Sequence, residues 1–311
     1  MPVQYEDAVK HTEYVAYYMR KFPTYISKRI TTRIANLVSS LIAYKIYKPN
    51  LFIMPYLELC ITPLCTLSCK KCANFMYMYS RTSHYAVDAI LQPLDKLMSS
   101  IDFAHRFRIL GGEPFLHPNL CDIISHCNDI KKIDRIEVVT NGTIVPHKKL
   151  LKTLQKTNSI ISISNYGDLS CNKFSLMSEL KNYNIPYVYH DRLLMWQDMG
   201  DGRRFEHSYQ QVLDLYKACT ITCKTLVQGE LHVCPRSAHG TALGFIPKKT
   251  EEYVDVMKTD ALILRDMMRR LYDIECIEAC YYCRAPFEPK LRTTPAGKQI
   301  ASDESGGKRV T

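Results

Sequence analysis

Cys65-Thr66-Leu67-Ser68-Cys69-Lys70-Lys71-Cys72 packs three thiols into eight residues, spaced C-x3-C-x2-C, just after the apolar run Leu51 to Ile61. Thiolate sulfur is the protein ligand that iron–sulfur clusters take. Three thiols on a short loop can therefore each bind one iron of a cubane [4Fe–4S] cluster. The cube's remaining iron is then open to a small molecule. The rival readings are an ordinary set of buried thiols and a zinc knuckle. The latter demands another ligand nearby, because structural zinc sites are closed four-coordinate shells.

A second set of cysteines lies late in the chain: Cys219, Cys223 and Cys234, then Cys276, Cys280 and Cys283. Leu226 to Val233, with Gly229 at its turn, reads as a β-hairpin between the first group and Cys234. Spacing alone leaves a zinc site with four thiolate ligands open here.

C-x3-C-x2-C after a first strand resembles the signature of the radical S-adenosylmethionine (radical SAM) enzymes. The resemblance implies a [4Fe–4S] cluster on Cys65, Cys69 and Cys72 whose free iron binds the amino and carboxylate groups of SAM. The reduced cluster then splits SAM into methionine and a 5′-deoxyadenosyl radical, which removes hydrogen from a substrate. Lys71 is a departure, since the family usually has an aromatic or apolar residue there, packed near the adenine. Gly111-Gly112-Glu113 resembles the family's GGE motif, whose glycine backbone and Glu carboxylate meet the SAM amino group. Asn141 and Ser164, each ending a strand, stand where the family supplies polar contacts to the SAM ribose and carboxylate; Ser162 is an alternative to Ser164. Arg192 either pairs with the methionine carboxylate or is a surface charge.

Cys219-x9-Gly229-x4-Cys234 resembles the first half of a SPASM domain. The cysteines of a second auxiliary cluster are missing after Cys283, which implies the shortened twitch form with one auxiliary [4Fe–4S] cluster. Cys219, Cys234, Cys280 and Cys283 are its expected ligands, with Cys223 and Cys276 in reserve.

The elements that must position these residues alternate. Helix is expected over residues 1–50, closed by Pro49 and Asn50, and strand around Phe52 to Ile61. Helices are expected from Val87 to Ser100, Leu120 to Cys127, His147 to Lys156 and Leu169 to Tyr183. Strands are expected from Phe107 to Leu110, Ile133 to Thr140, Ser159 to Ser164 and Tyr187 to His190. Such alternation implies βαβ units, right-handed crossovers and a parallel sheet. Five or six units fit before the pattern changes near Trp196. The expected fold is therefore α/β: an open, partial TIM-like (β/α)6 barrel, its chemistry at the C-terminal strand ends. The domain reading is 1–50 N-terminal helical extension, 51–205 barrel, 206–288 twitch/SPASM-like domain containing a helix from Glu251 to Tyr272, and 289–311 disordered tail.

The chain has 311 residues, is 46% apolar and carries a formal net charge of +10. Its thirteen cysteines fall in metal-ligand spacings rather than a short secreted framework, so reduced thiols and a cytoplasmic location are expected. No apolar run is long enough to span a bilayer. Basic residues interleaved with tyrosines over the first fifty positions fit a solvated helical face, or contact with a membrane surface, nucleic acid or an acidic partner.

The expected function is SAM cleavage and hydrogen abstraction from a small, polar and plausibly anionic molecule: a sugar, aminocyclitol or nucleotide-linked compound that is oxidised or epimerised. Flavodoxin or ferredoxin is the kind of electron donor implied. Asp198, Asp201, His190 and His207 are candidate bases for oxidation; Cys223 or Cys276 could donate hydrogen in epimerisation. The loop Met195 to Gly202, with the chain's single Trp196, is a candidate substrate-facing segment. Modification of a ribosomally made peptide is the enzymatic alternative. A zinc-stabilised basic scaffold binding nucleic acid is the non-enzymatic one, although it leaves the GGE motif unexplained.

Overall fold

A computed structural model of the chain describes residues 52–80, 83–190, 195–219, 221–284 and 293–300. The expected helical extension over residues 1–50 and Arg192 lie outside the described residues.

The chain enters through β1 (Ile53–Met54) and β2 (Leu57–Cys60), then the cysteine loop, α1 (Val87–Ser100), β3 (Phe103–Ala104) and β4 (Phe107–Leu110). Next come α2 (Leu120–Asp129), β5 (Ile136–Thr140), α3 (Lys148–Lys156), β6 (Ser159–Ser164), α4 (Lys173–Asn182) and β7 (Tyr187–His190). Periodicity decides these elements. In α1, Ile90, Leu94, Leu97 and Met98 fall on one face and are buried. In α3, Leu150, Leu151 and Leu154 face inward while the lysines face water. Ile161 and Ile163 on β6 are fully buried, each worth roughly 1.5–3 kcal/mol relative to exposure.

Beyond β7 lie β8 (Met195–Gln197), α5 (Tyr209–Ala218), the hairpin β9 (Lys224–Val227) and β10 (Glu230–His232), and α6 (Pro235–Ala242). They are followed by β11 (Tyr253–Asp255), α7 (Ala261–Asp273) and β12 (Thr293–Pro295). One eight-stranded sheet runs β11-β10-β9-β2-β4-β5-β6-β7. Strands β2, β4, β5, β6 and β7 are parallel neighbours in chain order. The sheet stays open among the described residues, so the fold is an open α/β barrel.

The sixth parallel strand has an unexpected origin. It is β9, which pairs with β2 on the side opposite β4. The hairpin assigned to the C-terminal domain at 206–288 thus continues the barrel sheet.

Three local expectations change. Glu251 to Tyr272 is not one helix: Tyr253, Val254 and Asp255 pair with β10, and α7 starts only after Asp260, whose carboxylate caps it by accepting from Leu262 N. α4 begins at Lys173, after a short turn over Gly167–Leu169. Residues 293–300, inside the stretch read as a disordered tail, are ordered. β12 pairs with β8, and Ala296 and Ile300 are buried.

Candidate functional site

Cys65, Cys69 and Cys72 line one cavity of about 440 Å³ at the C-terminal ends of the parallel strands. Gly111, Gly112, Asn141 and Ser164 line the same space. Four separate strand ends therefore deliver the expected residues to one place, and the volume suits a small-molecule ligand. Cys65 and Cys69 are buried, Cys72 half-buried.

The glycines are fixed by the approach of two loops. Gly112 N–H donates to the Thr62 carbonyl and Glu113 N–H to the Leu64 carbonyl, both at 2.8 Å. A Cβ on Gly111 would stand 2.3 Å from the Thr62 carbonyl oxygen, and one on Gly112 2.0 Å from that of Leu64. Both obstacles are backbone. The missing side chains thus let the glycine loop clamp the cysteine loop.

Glu113 departs from expectation. It is fully buried and is not on the cavity wall. Its Oε2 accepts from Asn141 N at 2.8 Å and its Oε1 from Phe115 N at 3.1 Å. Burial pushes its pKa up to about 7, against the pull of those two N–H groups. Asn141 in turn donates its side-chain amide to Cys65 Sγ at 3.6 Å and to Thr66 Oγ1 at 3.0 Å. The carboxylate thus holds a residue that holds the cysteine loop. Ser162, the alternative to Ser164, is turned to His190 at 2.9 Å.

Two residues here escaped sequence reasoning. Tyr166 lines the cavity and packs edge-on against Trp196, with ring centres 5.2 Å apart. Burial, and then the neighbouring thiols, push its hydroxyl pKa up against a hydrogen bond with Ser164. Its signal was an aromatic just past the end of β6. Gln299 had none. Its amide donates to Cys69 Sγ at 3.3 Å, while its Oε1 accepts from Ser68 N at 2.7 Å.

Comparison with known proteins fits this geometry. Residues 59–165 match the model of the Radical SAM superfamily. The segment is a radical SAM domain. Proteins of this superfamily bind a [4Fe–4S] cluster and SAM. Among curated proteins, the chain is 30% identical over 95 residues to a GTP 3′,8-cyclase of Stenotrophomonas maltophilia, covering 30% of this chain and 28% of that one. It is 29% identical over 126 residues to the molybdenum cofactor biosynthesis protein 1 of Dictyostelium discoideum, covering 40% and 19%. The chain thus spans less than a third of the length of these relatives. Among solved structures, BtrN in complex with AdoMet and 2-DOIA is similar at 15% identity and TM-score 0.45, over 76% of this chain and 95% of that one. Streptococcus suis SuiB bound to S-adenosylmethionine is similar at 15% identity and TM-score 0.37, over 68% and 48%.

Lys71 lies on the cavity wall of the radical SAM domain, its Nζ 3.2 Å from Asp198 Oδ1. Arg284 reaches the other oxygen of Asp198 at 2.9 Å. Although burial opposes it, the Gly200 N–H and these two cations hold Asp198 below the usual carboxylate range. Asp201 is paired with Arg203, His207 with the Cys283 carbonyl. None of the four candidate bases lies on the cavity wall.

The later cysteines also gather. Cys219 ends α5, Cys234 caps α6, and Cys280 and Cys283 share one turn, Cys283 N–H donating to the Cys280 carbonyl at 3.1 Å. Burial pushes the Cys234 thiol up to about 12, with Cys283 and Cys219 adding to it. Cys280 feels Cys283, Cys234 and Cys219 in the same way. Of the reserves, Cys223 is turned toward Glu58 and Cys276 toward Tyr209.

No three His, Cys, Asp or Glu side chains are arranged around a single ion among the described residues. Ligands of a cubane each bond a different iron, so they stand farther apart than ligands sharing one ion. In donor chemistry, the three-thiol wall of the radical SAM domain and the four-thiol group both fit [4Fe–4S] clusters.

Proposed function

We propose that the chain is a radical SAM enzyme acting on a small polar molecule, with one auxiliary cluster held by Cys219, Cys234, Cys280 and Cys283. The observation that carries the reading is the meeting of Cys65, Cys69, Cys72, Gly111, Gly112, Asn141 and Ser164 around one cavity. Cys65, Cys69 and Cys72 would hold the cluster, which when bound and reduced would supply the electron for SAM cleavage ahead of hydrogen abstraction.

The protein's own contributions follow from geometry. Gly111 and Gly112 keep the backbone of the cysteine loop close and leave room for a ligand. Asn141 and Ser164 offer polar atoms to it. Tyr166 and Trp196 give the cavity an aromatic flank. Lys71 is the one basic side chain on the wall among the described residues, and its Nζ is paired with Asp198. The named nucleotide cyclases among the relatives support a nucleotide-linked substrate. Oxidation and epimerisation both suit the auxiliary site. Among the described residues, the cavity wall carries no carboxylate or imidazole to accept the proton of an oxidation.

Anaerobic reconstitution tests this reading. We expect iron and sulfide for two four-iron clusters per chain and conversion of SAM to 5′-deoxyadenosine under reducing conditions. Zinc in the C-terminal group would sink the auxiliary-cluster part alone. With a deuterium-labelled nucleotide sugar or polyol, label in 5′-deoxyadenosine with a product two hydrogens lighter marks oxidation. A product of unchanged mass carrying one solvent hydrogen marks epimerisation.

A further inference from the structure

Arg236 is 1% exposed and is among the largest fully buried side chains. It follows Cys234 by two residues on α6. Its Nη2 donates to the Tyr282 carbonyl at 2.9 Å, inside the turn that carries Cys280 and Cys283. Its guanidinium also lies 4.4 Å from the centre of the Phe75 ring. Phe75 is tied to the first cysteine loop, its N–H donating to the Cys72 carbonyl at 3.1 Å. One buried cation therefore bridges the two cysteine sets.

That cation is under-served. Its Nε and Nη1 are buried without a hydrogen-bond partner among the described residues. Removing an ion from water carries a large penalty even after relaxation, of which a cation–π contact returns only a part. Arg stays protonated in proteins, so the deficit is met by negative charge. The guanidinium stands between the two sets, against Phe75 beside Cys72 and on the Tyr282 carbonyl between Cys280 and Cys283. Neutral thiols supply no such charge; metal-binding thiolates do.

We propose that Arg236 is a shared counter-ion for two thiolate-ligated centres, a positioning residue that stabilises the anionic, metal-bound form of both and raises the reduction potential of each. The inference rests on reading both cysteine sets as cluster ligands. A reduced cluster is one unit more negative than an oxidised one, so a fixed positive charge beside it favours reduction. Because one guanidinium touches both loops, its loss acts on both centres together.

The test compares wild type with Arg236→Met, an apolar side chain for an apolar setting, and with Arg236→Lys, which keeps the charge. In cluster-free protein, Arg236→Met is expected to melt higher than wild type, because it deletes an unpaired buried ion. In reconstituted protein, potentiometric titration followed by electron paramagnetic resonance is expected to show both midpoints lowered. A tenfold change in each reduction equilibrium corresponds to 59 mV for one electron. Arg236→Lys should fall between the two. A cluster-free Arg236→Met that melts lower or does not fold overturns the inference, as do two unmoved midpoints or movement of one alone. Wild type that binds no iron sinks the cluster reading instead, and the cluster-free melting comparison still decides the role of Arg236.

Discussion

The Gln299 side chain donates to Cys69 Sγ at 3.3 Å across 230 residues of sequence. The two residues also form an antiparallel bridge, with Lys70 N–H on the Lys298 carbonyl at 2.8 Å and Ile300 N–H on the Ser68 carbonyl at 2.9 Å. The C-terminal segment therefore straps the cysteine loop. A hydrogen bond to a cluster sulfur stabilises the more negative, reduced state and so raises its potential. Gln299→Ala is expected to lower the midpoint of the SAM-binding cluster without loss of iron. It should also cost about 1 kcal/mol of stability from the lost hydrogen bonds. Redox titration and thermal melting of the variant check both.

Glu113 gives a pH signature. Its folded pKa of about 7 lies above that of an unfolded carboxyl, chiefly through burial. Its proton-linked contribution to stability is therefore full below the unfolded carboxyl range and is lost as pH rises to about 7 and beyond. Glu113→Gln removes that dependence. One oxygen becomes an NH₂ facing a backbone N–H, which costs roughly 1–3 kcal/mol. Denaturant titrations of both proteins from pH 5 to 8 should show the wild-type advantage shrinking as pH rises; a gap that widens contradicts the assignment.

Much of this was legible in the sequence, for physical reasons. The strand at Phe107–Leu110 and the helix at Val87–Ser100 lie where apolar periodicity sets them. The glycines of the Gly-Gly-Glu turn announced a close approach, although its direct partner is the cysteine loop. What escaped depends on distant pairing. Tyr253–Asp255 became a strand because β10 offered it an edge. Residues 293–300 became ordered because β8 and Ser68 offered partners. The burial of Arg236 could not be read from a short polar helix. Glu113 turned inward because two backbone N–H groups stand behind it.

Gly112 is expected to tolerate no side chain. Gly112→Ala drives a Cβ into the Leu64 carbonyl and against Cys65 Cβ, an overpacking worth about 1–3 kcal/mol that bears directly on the loop. Iron in the SAM-binding cluster should fall while the auxiliary iron stays. A variant with full iron content and unchanged melting would contradict the clamp.

For the C-terminal set, Cys280→Ser with Cys283→Ser is expected to remove about half of the iron, while SAM cleavage persists without turnover of substrate. Cys276→Ser should leave iron content unchanged, because that thiol faces Tyr209. Metal analysis of the anaerobic proteins distinguishes these outcomes.

The most direct measurement is 5′-deoxyadenosine formed from SAM by anaerobically reconstituted, reduced protein. Wild type is compared with Cys65→Ala, Cys69→Ala and Cys72→Ala. The account predicts steady formation in wild type and background levels in every variant, with the circular dichroism of the folded barrel retained. Native rates of SAM cleavage in any of these variants would contradict it.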